Sequence, residues 1–123
     1  MKIYESGEDY LEMILMLQKE KGYARSIDVA AALGVTKPSV SVAMKNLRNS
    51  GHIRVDENGH ITLAPPGKKI AEMIYERHRL LSQWLESLGV SKETASEDAC
   101  RIEHVISEES FAAIKDHLKQ TSV

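Results

Sequence analysis

Residues 26–63 read SIDVAAALGVTKPSVSVAMKNLRNSGHIRVDENGHITL, and this stretch decides the fold. Ser26 is a good N-cap for a short helix over 27–33, with Ile27, Ala30, Ala31 and Leu33 as its apolar positions. Gly34 and Val35 then form a tight turn. Thr36 caps a second helix that has Pro38 in its first turn, where a missing N–H costs nothing. That helix turns Val40, Ala43, Met44 and Leu47 inward and stops at Gly51. Two short β-like runs, 53–55 and 60–63, flank Asp56, Glu57, Asn58 and Gly59, and Asn-Gly between such runs signals a hairpin.

Working outward, residues 5–21 carry Tyr10, Leu11, Ile14, Leu15 and Leu17 at helical spacing, and Gly22 closes that helix. Helix, helix, tight turn, helix, hairpin is the order of a winged helix-turn-helix. After the hairpin, Pro65, Pro66 and Gly67 break the chain. A long helix over 68–87 follows, with Ile70, Ile74, Leu81, Trp84 and Leu85 on its apolar side and Gly89 at its end. Two more helices, 92–106 and 109–119, complete the pattern. The expected fold is therefore mostly α: a winged helix-turn-helix with a two-stranded wing over 1–66, then a helical domain over 67–123. Trp84, Leu85, Leu88, Ile106, Phe111 and Ile114 exceed what one three-helix layer readily buries, so some are expected to cover the partner in a homodimer.

With 123 residues and 42% hydrophobic content, the chain suits one compact unit or a small domain with an appended helical piece. One cysteine excludes an intramolecular disulfide and suits a reducing cytoplasm. The first residues, MKIYESGEDYLEM, have no apolar signal core, and no run approaches the roughly 18 apolar residues of a membrane span. A soluble cytoplasmic protein without membrane association is expected. The net charge of −2 conceals a pattern. Residues 36–70 sum to +4, whereas residues 71–123 sum to −4 and residues 1–22 to −2. A basic middle between acidic flanks suits a nucleic-acid surface beside a cation site.

The second short helix opens with Thr36, Lys37, Pro38, Ser39, Val40, Ser41 and Val42. Free N–H groups and the helix dipole at such an N-terminus favour phosphate. Hydroxyls and one Lys reach phosphate or base edges, while Val42 and the Pro38 ring suit a thymine methyl. Capping alone explains Thr36 well, and Ser39 and Ser41 less well. Lys45, Arg48 and Arg54 are expected phosphate contacts, with Arg25 and Ser26 at the start of the preceding helix and Asn58 and His60 as weaker candidates at the wing tip. Few long side chains are available for bidentate base reading, so specificity is expected to rest on shape and apolar contacts. The expected partner is double-stranded operator DNA; no small organic ligand is expected.

Cys100, Glu103 and His104 lie at i, i+3 and i+4, hence on one face of a helix. Asp9 and Glu12 are three apart near the start of the first helix, and His78 lies midway along the long one. Each has an ordinary structural explanation alone: a core thiol, a packed histidine, acids at a helix N-terminus. No CxxC pair or HExxH motif strengthens the metal reading.

Several stretches together decide it. SGEDYLEMILML, GYARSIDVAAALGVTKPSVSVAMKNL, GHITLAPPGKKIA, RHRLL and EDACRIEHVISEE resemble the diphtheria-toxin-repressor family of metal-dependent repressors, most of all its short manganese-transport-regulator branch. The resemblance covers nearly the whole chain. It implies a homodimer whose N-terminal half binds DNA, whose helical C-terminal half dimerises, and which binds Mn²⁺ or Fe²⁺ between them. By the same resemblance Asp9, Glu12, His78, Glu103 and His104 match metal ligands. Cys100 stands where the manganese branch usually has Glu and agrees with the iron-responsive branch; conversely, that iron branch usually has Met where this chain has Asp9. Two further ancillary ligands of the iron branch fall at Ser82 and Ser96, where neither side chain is expected to replace them, and no counterpart of its C-terminal barrel is expected.

Carboxylates and imidazole suit Mn²⁺ and Fe²⁺, while a thiolate shifts preference toward Fe²⁺, Co²⁺ or Zn²⁺. Two sites per subunit are favoured over one. In that arrangement Asp9, Cys100, Glu103 and His104 hold one ion, and His78 and Glu12 hold a second with Glu103 bridging. If Cys100 points away it is a core thiol. The expected function is a metal-activated repressor; the alternative is a metal-independent winged-helix regulator. A metalloenzyme would need a nucleophile motif or phosphate loop, which this sequence does not offer, and a protein-interaction module would not need the basic helix.

Overall fold

The computed structural model describes residues 5–121. Its elements are α1 (Glu5–Lys21), α2 (Ser26–Leu33), α3 (Lys37–Asn49), β1 (Ile53–Val55), β2 (Ile61–Leu63), α4 (Pro65–Ser87), α5 (Lys92–Ile102) and α6 (Glu108–Thr121). Two compact units divide within α4, between Met73 and Ile74.

In the first unit the apolar spacing closes as expected. Leu11, Ile14, Leu15 and Leu17 of α1, Val29 and Ala30 of α2, and Val40, Met44 and Leu47 of α3 are all buried. Each large side chain removed from water in this way contributes roughly 1.5–3 kcal/mol. The α2 start differs from expectation. Arg25, not Ser26, is the N-cap residue, with extended φ −128° and no capping side chain, and Ser26 is the first helical residue. At the far end Gly34 N–H and Val35 N–H both bond the Ala30 carbonyl, which closes the tight turn into α3. Thr36 caps α3 as expected, its Oγ1 accepting from Ser39 N–H at 3.3 Å.

The wing is an antiparallel pair, Ile53 opposite Leu63 and Val55 opposite Ile61. Ile53 and Ile61 are buried while Arg54 and Thr62 between them face outward, the period-two pattern of a one-sided sheet. The connection is longer than a two-residue Asn-Gly turn. Five residues, 56–60, lie between the paired positions. Gly59 takes φ 77° and donates to the Asp56 carbonyl, and Asn58 is not left-handed. Glycine is needed at 59 because that conformation crowds a Cβ. The Asp56 carboxylate organises the loop by accepting from Asn58 N–H and His60 N–H at 2.8 and 2.9 Å. The His60 N–H is the main cause holding the Asp56 pKa below its ordinary value. The Ile61 N–H donates to Ala24 O at 2.8 Å, Gln18 Nε2 donates to Ile61 O at 3.1 Å, and the Tyr23 and His60 rings stack. The wing is thus tied to the α1–α2 connection.

Pro65 and Pro66 do not break the chain; they begin α4. A first helical turn has no use for their missing N–H groups. Gly67 is then required by close approach: a Cβ there would overlap the carbonyl oxygen of buried His52 and would lie 3.3 Å from Leu11 Cδ2.

In the second unit Leu81, Ala99 and Phe111 form a core, flanked by Leu80, Trp84, Ile102, Ile106 and Ile114. Ser91 caps α5 and Ser107 caps α6, each hydroxyl accepting an N–H three residues on. Lys115 Nζ meets Glu76 Oε1 at 3.0 Å, linking α6 to α4. Of the six apolar residues expected to exceed the core, only Leu88 is exposed, to 64%; Phe111 lies in the core and the other four are partly buried, while Val105 is 76% exposed. The fifth helix ends at Ile102 and not at 106, so Glu103 and His104 belong to the turn after it. Among the described residues no single helix is long and apolar enough to cross a membrane.

Candidate metal centre

The donors of the second unit come from two helices. Midway along α4, His78 is partly buried; Cys100, in the last turn of α5, is exposed, and Glu103 follows as the C-cap with its side chain wholly buried. Glu103 keeps helical backbone angles, φ −58° and ψ −25°, and its N–H bonds Ala99 O. The i, i+3 relation to Cys100 therefore survives beyond the end of the helix. His78 Nδ1 lies 3.0 Å from Glu103 Oε2 and 3.8 Å from Cys100 Sγ. One ligand atom from each of the three falls within 4.8 Å of the others.

Electrostatics bind this group tightly. The Cys100 sulfur, then the Glu103 carboxylate, raise the His78 pKa from 6.5 to about 10 against the opposing effect of burial. The imidazole therefore carries a proton at neutral pH and donates to Glu103 Oε2. The other carboxylate oxygen, Oε1, is buried without a hydrogen-bond partner among the described residues. His104 Nε2 lies 3.5 Å from it, too long for a good hydrogen bond. A buried carboxylate oxygen left in this condition is costly. A divalent cation would satisfy it, and imidazole, thiol and carboxylate are donors that Fe²⁺, Co²⁺, Zn²⁺ or Mn²⁺ accept. The residues fit a metal.

Cys100 thus stands with His78 and Glu103. The arrangement favoured from the sequence put Cys100 with Asp9, Glu103 and His104, and His78 with Glu12 and a bridging Glu103; the structure keeps Cys100 beside Glu103 and adds His78 to that pair. His104 has a 2% exposed side chain. On α1 in the first unit, Asp9 is partly buried and Glu12 is 8% exposed. Ser82 Oγ is buried without a hydrogen-bond partner among the described residues.

The nucleic-acid candidates of the first unit, Arg25, Ser26, Thr36, Lys37, Pro38, Ser39, Ser41, Val42, Lys45, Arg48, Arg54 and Asn58, are all exposed, Val42 to 62%. Ser39 has a capping explanation after all: its hydroxyl accepts from Thr36 Oγ1 at 2.8 Å while its N–H donates to the same oxygen.

One residue escaped the sequence reading. Arg77 is 7% exposed, and its Nη1 donates to Glu103 O at 3.1 Å and Ile106 O at 2.9 Å. The signal was present: Arg77 interrupts the stripe Ile74, Leu81, Trp84 at the position where helical spacing calls for an apolar residue.

Two family models match the chain in succession. The family model described as iron dependent repressor, N-terminal DNA binding domain, matches residues 2–61. The one described as iron dependent repressor, metal binding and dimerisation domain, matches residues 64–123. The HTH-type transcriptional regulator MntR of Bacillus pumilus is 40% identical over 111 residues, covering 90% of this chain and 77% of that protein. The transcriptional regulator MntR of Salmonella typhimurium is 41% identical over 106 residues, covering 86% and 68%. Among solved structures, T. acidophilum IdeR superposes with TM-score 0.79 at 28% identity, covering all of this chain and 56% of that one. A manganese-dependent transcriptional repressor in complex with manganese superposes with TM-score 0.84 at 27% identity, covering 92% and 52%. The chain spans little more than half the length of these solved chains.

Proposed function

The chain belongs to the diphtheria-toxin-repressor family of metal-dependent repressors, and on that premise we propose that it is a homodimeric repressor that binds palindromic operator DNA when Mn²⁺ or Fe²⁺ is bound. The family consists of DNA-binding regulators that dimerise, not of enzymes. The observation that carries the reading is the cluster of His78, Cys100 and wholly buried Glu103, with an oxygen of that carboxylate lacking a hydrogen bond among the described residues.

His78, Cys100 and Glu103 would hold the ion, with His104 beside them; Asp9 and Glu12 join the set by family resemblance. The metal supplies positive charge where acids otherwise repel one another. The protein's own part would be to present deprotonated donors: the His78 imidazolium would lose a proton to become a ligand, freeing the Glu103 carboxylate it now pairs with. A chain whose ligands hold the ion better in the DNA-competent arrangement would populate that arrangement when the ion is bound, which would make the site a switch. In the first unit, Thr36, Lys37, Pro38, Ser39, Ser41 and Val42 face base edges and phosphate. Arg25, Ser26, Lys45, Arg48, Arg54 and Asn58 meet the backbone. Two such units would read half-sites roughly one DNA turn apart. Control of metal-ion homeostasis in the cytoplasm follows from the same reading.

Operator binding measured with chelator and with Mn²⁺ or Fe²⁺ tests this. Metal is expected to tighten binding, and Glu103→Ala is expected to abolish the metal dependence while leaving the fold. Equal affinity with and without metal would sink the proposal.

A further inference from the structure

We propose that Arg77 is the positioning residue that holds the turn after α5 in its ligand-presenting shape; this rests on reading Glu103 and His104 as metal ligands. The last carbonyls of a helix have no partner within it. Beyond Ile102, one nitrogen of the Arg77 guanidinium donates to two of the carbonyls that follow, those of Glu103 and Ile106. Val105 N–H and Ile106 N–H close the same turn onto Ile102 O, at 3.0 Å each. Glu103 and His104 therefore sit on a short loop pinned at its first and last carbonyls. The guanidinium stacks over the Phe111 ring, 5.5 Å from its centroid, which fixes it from the α6 side.

The arrangement is a poor way to gain stability alone. Arg77 is buried, and its Nε finds no hydrogen bond among the described residues. An apolar side chain beside Phe111 would avoid burying a charge. It could not grip two carbonyls. The next residue along, His78, meets the carboxylate of the same Glu103. Consecutive residues of α4 thus hold one acid by its main chain and by its side chain, and the main-chain grip decides where the side chain starts.

The test uses the whole chain and Mn²⁺ alone. Binding is followed by calorimetry, the bound ion by electron paramagnetic resonance, and metal-free stability by thermal unfolding. Arg77→Met is expected to weaken Mn²⁺ binding by about tenfold or more and to change the Mn²⁺ line shape, as loss of a residue that orients ligands does. Arg77→Lys keeps the charge but not the two-carbonyl grip. It is expected to recover part of that loss, while still binding at least about twofold more weakly than wild type. Smaller losses with an unchanged spectrum, even with a lowered unfolding temperature, would overturn the proposal and make Arg77 a core element only. If Arg77→Met does not fold, Arg77→Lys decides by the same criterion. Should the wild type itself bind no Mn²⁺, the ligand reading fails instead. Amide exchange at Val105 and Ile106 in metal-free Arg77→Lys then still reports on the grip: faster exchange supports it and unchanged exchange refutes it.

Discussion

His78 Nδ1 and Glu103 Oε2 stand 3.0 Å apart across 25 residues of sequence, one on α4 and the other at the end of α5. Without metal, the proton on His78 neutralises the buried acid. Metal and proton therefore compete for the same two residues.

The pH dependence follows from that competition. His78 has its pKa raised by Cys100 and Glu103 from 6.5 to about 10. A group whose folded pKa lies above its unfolded one contributes stability that is complete below the unfolded value and disappears as pH rises through the folded one. The metal-free protein should lose this contribution between pH 6.5 and about 10. Over the same window Mn²⁺ affinity should climb, with proton release on binding, because the imidazole must be neutral to act as a ligand. NMR titration of His78 and calorimetry in buffers of different ionisation enthalpy check both. An imidazole titrating near 6.5 would contradict the argument.

Cys100 sets the character of the donor set. Cys100→Glu should shift operator activation toward Mn²⁺ and away from Co²⁺ and Zn²⁺, because a hard oxygen replaces a soft sulfur. Operator binding across Mn²⁺, Fe²⁺, Co²⁺ and Zn²⁺ under anaerobic reducing conditions reads the preference. An unchanged order of metals would return Cys100 to the role of a surface thiol.

Gly67 has no room for a side chain against the His52 carbonyl. Gly67→Ala should destabilise the protein by about 1–3 kcal/mol, the usual cost of overpacking, despite alanine's better helix propensity. Chemical denaturation measures this. A stabilised variant would mean that the α4 start moves away from His52 freely.

Arg48 is exposed near the C-terminal end of α3. Arg48→Ala should weaken metal-activated DNA binding on all sequences alike and reduce the slope of log affinity against log salt by about one. Loss confined to the specific operator would instead place Arg48 at a base edge.

Legibility was uneven, for physical reasons. Thr36, Pro38 and the Val40, Met44, Leu47 stripe announce α3 because caps and periodicity act within one or two turns. The Pro65 and Pro66 pair misled, since the same residues break a helix interior and begin a helix well. Ser26 misled in the same way, being a good cap one residue too late. The end of α5 was misplaced because its stop signal is not local: Arg77, 26 residues upstream of Glu103, takes up the carbonyls beyond Ile102.

By itself the sequence determined the order of elements and the kinds of donor available, because cap chemistry, apolar spacing and residue type are properties of neighbours along the chain. Its motifs also carried the family resemblance. Only the tertiary structure decided which donors meet. Cys100 lies beside His78 as well as the expected Glu103, and Arg77 bonds the main chain of the turn that bears Glu103. Those pairings join α4 to residues more than 20 positions away, and packing around Leu81, Ala99 and Phe111, not local spacing, brings them within reach.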